Sequence, residues 1–347
     1  MSRYINALFA ILFCFNMTMV QATVGPNRIG DCGQPLIQPD DPLSLLTYLP
    51  GDLPPNDDCA FPNVARMMVD RGEPGVISGW CNASLLHVDN KKAVILTAAH
   101  CLNGDGVNQD PVFVVFEPQP TTPFTARRDR SLTVNLHEAV ARSVHPLNNG
   151  ELTPWDVGLL FLDNSEGQIS NLGLTPTVRP PVANYLESIG QGKLKTRHSF
   201  IGVAAVGGEP LLGNDPDHTP ADGFDARRRA QGARTISEFD LLGFGRKLFG
   251  EQAPGLTDLI EFNSQTAAGR DGVCFGDSGS PIFLDGVEAI GVATLVWGFG
   301  KDSQNWCVLQ HAYTRIDIAE TVSYLDCSTD SAKSIADAAD CGQPPFD

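Results

Sequence analysis

Hydrophobic residues in this chain come in short runs, each cut off by Gly, Pro, Asp or Asn. Such runs occupy 64–69, 76–86, 93–98, 112–116, 134–144 and 157–162. A second series occupies 199–206, 238–243, 256–263, 281–284, 287–296 and 310–316. Apolar runs of this length, rich in β-branched and aromatic residues and bounded by turn formers, predict strands. No stretch sustains helical heptads, and no internal repeat of solenoid length occurs. The pattern predicts an all-β chain with two successive groups of strands, followed by one short helix with an alanine-rich face at 331–339.

The flanks read differently. Arg3 precedes a mostly apolar stretch from Ala7 to Val20, and Val20-Gln21-Ala22 offers small residues for cleavage. This predicts a signal peptide over 1–22. The apolar stretch is short for a transmembrane helix, and no later run of about 20 apolar residues follows. No membrane association is therefore expected once the signal is removed. Residues 23–55 are rich in Pro, Asp and Gly, which predicts a propeptide or N-terminal arm. Residues 327–347 form a C-terminal extension. The stretch 207–235, rich in Gly, Pro and Asp and then carrying Arg227-Arg228-Arg229, predicts a long surface loop.

Composition sharpens this. The 347 residues suffice for two small β domains, and 34 Gly with 25 Pro suit many strands joined by turns. A net charge of −17 disfavours nucleic acid as a partner. Of nine cysteines, Cys14 falls in the signal peptide, leaving an even number in an exported chain. That favours disulfides over metal, and no CxxC pair is present, so neither a metal site nor a cofactor is expected. Asn82-Ala83-Ser84 is a glycosylation sequon, but it overlaps a predicted strand.

Three motifs carry chemistry. Thr97-Ala98-Ala99-His100-Cys101 comes first, then Trp155-Asp156-Val157-Gly158-Leu159-Leu160, then Gly276-Asp277-Ser278-Gly279-Ser280-Pro281. A serine hydroxyl needs a base to take its proton, and the base needs a carboxylate to hold its tautomer. The α/β-hydrolase elbow G-x-S-x-G does not fit, because Ser280 stands at its last position and the residue order is reversed. In this order and these contexts, His, Asp and Ser resemble the trypsin/chymotrypsin family of serine proteases. His145-Pro146, Gly243-Phe244-Gly245 and Ala312-Tyr313-Thr314-Arg315-Ile316 resemble further family segments.

The resemblance implies two six-stranded antiparallel β barrels (chymotrypsin-like) with a short C-terminal helix, here at 316–325. The protease domain would span 56–326, with barrel 1 at about 56–165 and barrel 2 at about 196–316. His100, Asp156 and Ser278 would form the triad, and the backbone N–H groups of Gly276 and Ser278 the oxyanion hole. Cys81 would pair with Cys101, and Cys274 with Cys307. Cys32, Cys59, Cys327 and Cys341 then allow three pairings; the repeated Asp-Cys-Gly-Gln-Pro around Cys32 and Cys341 mildly favours Cys32–Cys341 and Cys59–Cys327. The implied function is a secreted or periplasmic serine endopeptidase acting on protein or peptide substrates, with a protein inhibitor as a further partner.

The chain departs from the family pattern in three places. No Ile-Val-Gly-Gly-like start lies in 45–62, so the partner of Asp277, which pairs with the freed amine in family members, is unassigned. Gly272 stands six residues before Ser278, where trypsin-like specificity uses Asp, so cleavage after Arg or Lys is disfavoured. Gly298 matches an open pocket wall, and His311 replaces a glycine deep in the pocket, which predicts either a polar floor favouring an acidic or small P1 residue or, with the ring pointing away, an apolar pocket. Val296 replaces the serine that normally precedes the pocket tryptophan and supports the triad aspartate. The alternative to an active protease is a catalytically silent or tightly regulated binding homologue of the same fold. The remaining histidines, His87, His137, His145, His198 and His218, have no motif context and read as surface or structural.

Overall fold

The computed structural model describes residues 62–70, 76–103, 111–116, 125–127, 136–148, 155–190, 193, 200–203, 230–234, 259–263, 278–285, 287–297 and 310–342. The chain is mostly β. Seven strands form the first sheet: β1 (Val64–Asp70), β2 (Val76–Val88), β3 (Lys92–Thr97), β4 (Val112–Val115), β5 (Thr125–Arg127), β6 (Leu136–Val144) and β7 (Gly158–Asp163). Their order is β1-β4-β6-β7-β3-β2-β5, and β1 also pairs with β2. That extra pairing closes six of them into an antiparallel barrel, with β5 added to the Val76–Ser78 end of β2. Closure leaves these strands no free edge.

The apolar runs are continuous because both faces of the central strands are buried. In β3, Ala93 and Ile95 point into the barrel with Met67, Leu85, Val114 and Leu160. Val94 and Leu96 point out of it, into a second core shared with Phe283, Val292, Ile316, Tyr324 and Leu325. β7 alternates the same way, with Leu160 and Leu162 inside and Leu159 and Phe161 outside. The outer core therefore joins the barrel to the rest of the chain.

The second sheet has six strands: β8 (Phe200–Val203), β9 (Ala230–Arg234), β10 (Leu259–Asn263), β11 (Pro281–Leu284), β12 (Glu288–Trp297) and β13 (Gln310–Arg315). Their order is β10-β13-β12-β11-β8-β9, with every pairing antiparallel. Among the described residues this sheet is open. β5 and β9 were not expected from the sequence, and β9 falls inside the stretch predicted as a surface loop. Both are edge strands held by their backbone partners, and neither carries an apolar run. The predicted strand at 238–243 lies outside the described residues.

Among the described residues the α-helices are α1 (His100–Asn103), α2 (Tyr185–Ile189), α3 (Ala319–Thr329) and α4 (Ile335–Ala339). α3 starts later than predicted because Asp317 is taken by Arg315, whose guanidinium bonds both its carboxylate oxygens at 2.8 and 2.7 Å. α4 starts at Ser334, whose hydroxyl accepts the Asp337 N–H at 3.2 Å. The expected boundary at 326/327 falls inside α3. Among the described residues no helix is long and apolar enough to cross a membrane.

The C-terminal cysteines correct one expectation. Cys327 bonds Cys341, not Cys59, and Cys341 does not bond Cys32. The turn after α3 brings α4 back beside it, so the two Cα atoms lie 5.9 Å apart. The fully buried Lys92 fixes this turn by donating from Nζ to the carbonyls of Asp330 and Lys333, at 2.8 and 2.9 Å. At the Asp330 carbonyl the cation also complements the C-terminal end of the α3 dipole. Ala338 of α4 enters the outer core, so the extension is part of the fold.

Candidate active site

Thr97, the last residue of β3, pairs with Gly158, the first of β7. Antiparallel pairing therefore places the segment leaving β3 beside the segment entering β7. The first begins α1 with His100, and the second contains Asp156. Gly158 permits the close approach: a Cβ there would lie 2.8 Å from Leu102 Cδ1 and 3.1 Å from the Ala98 carbonyl. On its other side α1 is bound to β2 by the Cys81–Cys101 disulfide, the pairing the sequence led us to expect.

Asp156 is fully buried. Its Oδ1 accepts the His100 backbone N–H at 2.7 Å, and its Oδ2 accepts the His100 Nδ1–H at 2.6 Å. The Thr294 hydroxyl donates a short hydrogen bond to the same Oδ2. A buried carboxylate is costly unless its oxygens are bonded, and these three donors answer that cost. Because Nδ1 carries the proton, Nε2 is left with its lone pair. The His100 side chain is 27% exposed, so the ring is reachable from outside while its partner is not. Cys81, His100 and Cys101 cluster tightly enough to resemble a metal site, but both sulfurs are spent in the disulfide.

Ser278 lies in a turn just before β11. Gly279 N–H donates to the Ala293 carbonyl and Ala293 N–H to the Ser280 carbonyl, each at 2.8 Å, which extends the β11–β12 ladder up to the turn. The Ser278 carbonyl accepts the Asn82 N–H at 2.7 Å. Asn82 follows Cys81, so the serine turn is bonded to the strand that carries the histidine's disulfide. Gly279 has φ of +79°, and a Cβ there would collide with the Asn82 carbonyl and Thr97 Oγ1. Only glycine fits that conformation and that gap. Among the described residues no hydrogen bond joins the Ser278 hydroxyl to His100.

The Asp156 segment has its own support. The His145 ring stacks on Trp155, with centroids 4.8 Å apart and planes 16° apart. His145 N–H donates to the Val157 carbonyl at 2.9 Å, and the Asn148 amide to the Trp155 carbonyl at 3.1 Å. Burial lowers the His145 imidazole to about 4, against the opposing pull of the Glu320 backbone carbonyl.

One expectation changes here. Thr294, not position 296, supports Asp156. It stands two residues earlier on β12 than the tryptophan motif indicated, and no local signal marks it. Asn82 is fully buried, so its sequon is inaccessible in the folded chain. His311 lies in β13, paired with Val296 and Phe262. Gly272, Cys274, Gly276, Asp277, Gly298 and Cys307 lie outside the described residues. So do Cys32, Cys59 and the segments 1–22 and 23–55.

As chemistry, a buried carboxylate fixes one tautomer of a partly exposed imidazole, and a glycine turn of the neighbouring sheet carries a serine. No protein-family model matches the chain, and no curated protein is similar enough to count as a relative.

Proposed function

We propose that this chain is an exported serine endopeptidase whose full fold is the two-barrel, chymotrypsin-like one. The observation that carries the reading is the buried, triply bonded Asp156 holding His100 Nδ1 at 2.6 Å. A solvated ion pair would need no such burial, whereas a general base needs its tautomer fixed. Ser278 Oγ attacks the scissile carbonyl carbon while its proton passes to His100 Nε2. The C–N bond breaks as His100 returns that proton to the leaving amine. Water, activated the same way, then hydrolyses the acyl-enzyme. The N–H groups of Gly276 and Ser278 hold the oxyanion, a role typically contributing about 3 kcal/mol per donor. Bonds between nucleophile and base often tighten only with substrate bound, so their length in the free chain does not decide the role.

Substrates are proteins or peptides, with a protein inhibitor as a further partner. Gly272 disfavours cleavage after Arg or Lys. Disulfides and the N-terminal apolar stretch support secretion or periplasmic export.

The test is fluorophosphonate labelling of the folded, disulfide-bonded protein, with and without limited proteolysis, beside Ser278→Ala. Labelling that vanishes in Ser278→Ala is expected. No labelling under either condition would replace this reading with the silent binding homologue.

A further inference from the structure

His145 is spent on a structural task that a non-titrating ring could perform. It is buried, it stacks on Trp155, and its edge meets Tyr324 of α3 with centroids 5.3 Å apart and planes at 76°. Its Nδ1 accepts the Leu147 N–H at 3.2 Å, so in the neutral ring the proton sits on Nε2. A second proton has to go on Nδ1. That converts an acceptor into a donor facing the Leu147 N–H, at a buried site. The ring and its backbone together grip residues 155 and 157, on either side of Asp156.

We propose that His145 is a positioning residue for Asp156: its neutral ring clamps the 155–157 segment, and its protonation releases that segment, so that acid uncouples Asp156 from His100 before the fold is lost. The consequence for catalysis rests on the endopeptidase reading; the uncoupling itself does not. The groups facing the ring are few. From α3 come Tyr324, whose hydroxyl burial pushes upward so that it stays neutral, and the Glu320 backbone carbonyl, while the Glu320 carboxylate is exposed. From the segment before β7 come Trp155 and, beyond it, Asp156. The sign follows from burial. The unfolded imidazole binds its proton near pH 6.5 and the folded one near 4, so the clamped state loses ground as pH falls through that window.

His100 alone behaves differently. Protonating it at Nε2 leaves Nδ1–H donating to Asp156. The downfield proton resonance of that bond therefore reads the clamp independently of catalysis. In the full exported chain, assigned against Asp156→Asn, the signal should be present at neutral pH. It should disappear as the His145 ring resonances titrate, with far-UV circular dichroism unchanged. His145→Phe keeps an aromatic plate but takes no proton, so its downfield signal should persist below the pH at which the unmodified protein loses it. The acid limb of fluorophosphonate labelling should then lie at lower pH than in the unmodified protein.

A signal that survives His145 titration in the unmodified protein overturns the proposal, whether or not the variant folds. So does a signal lost only together with the whole fold, or an unchanged acid limb in His145→Phe. If labelling is absent at every pH while the downfield signal still follows His145, the endopeptidase reading fails and the positioning role stands.

Discussion

In the closed barrel, His100 and Asp156 sit at the shared end of two adjacent strands, and their side chains bond directly. In the second sheet, Ser278 and Thr294 sit at the shared end of β11 and β12, yet they reach the site only by crossing to the other half. Thr294 crosses with a hydroxyl to Asp156, and Ser278 with its carbonyl to Asn82. The barrel thus builds a rigid acid–imidazole pair from local pairing. The second sheet brings a turn to that pair and depends on the seam for its position. Precision at the site should therefore fail first at the seam, before either half unfolds.

The largest test of that comparison is Gly279→Ala. Its φ of +79° is unfavourable for any side chain, and the new Cβ would strike the Asn82 carbonyl and Thr97 Oγ1. Strain of about 1–2 kcal/mol adds to overpacking of about 1–3 kcal/mol, so denaturant unfolding should show a loss of about 2–5 kcal/mol. Ser278 labelling should fall more steeply than stability does, because the turn must lift away from β2. Unchanged labelling would show that the seam does not set the position of the serine.

Much of the barrel was legible because its strands are buried on both faces. Val94, Ile95 and Leu96 had nowhere polar to face, so the run announced itself. The His100–Asp156 pair, and Cys81 with Cys101, were legible because their local contexts are short and specific. What escaped was fixed at long range. β5 and β9 exist through backbone partners that no composition reveals. Asn82 serves the site with its backbone, which carries no residue-type signal. Thr294 escaped because the tryptophan at 297 was taken as the marker, although β12 puts the supporting hydroxyl three residues before it. The Cys327–Cys341 pairing escaped because a repeated Asp-Cys-Gly-Gln-Pro sequence pointed to distant partners, while the chain simply turns back on itself.

That last pair gives an intermediate effect and a control lying away from the seam. Cys327 and Cys341 close a 14-residue separation, for which the chain-entropy account gives about 3 kcal/mol. Lys92 and the α4 cap still hold the turn, so the double variant Cys327→Ser, Cys341→Ser should lose about 2–3 kcal/mol by calorimetry. Labelling of the folded fraction should change little compared with Gly279→Ala. A collapse in labelling without loss of stability would mean that the C-terminal segment governs the site as strongly as the seam does.

The smallest effect sharpens the comparison most, because it removes one atom's role. Thr294→Val keeps the shape of the side chain and deletes the donor to Asp156 Oδ2. A hydrogen bond to a charged group contributes about 1.5–3 kcal/mol, so the labelling rate constant should drop about 10- to 100-fold and the unfolding temperature should fall by several degrees. His100 would still donate to the same oxygen, which is why the loss should stop short of abolition. Thr294→Ser should restore the rate. Val296→Ser, placed in the Thr294→Val background, should not, since residue 296 lies two positions further along β12 than the threonine that reaches the carboxylate. The opposite pattern, rescue from 296 and none from 294, would mean that the tryptophan motif had the register right and that the second sheet meets the barrel two residues away from where Thr294 now bonds Asp156.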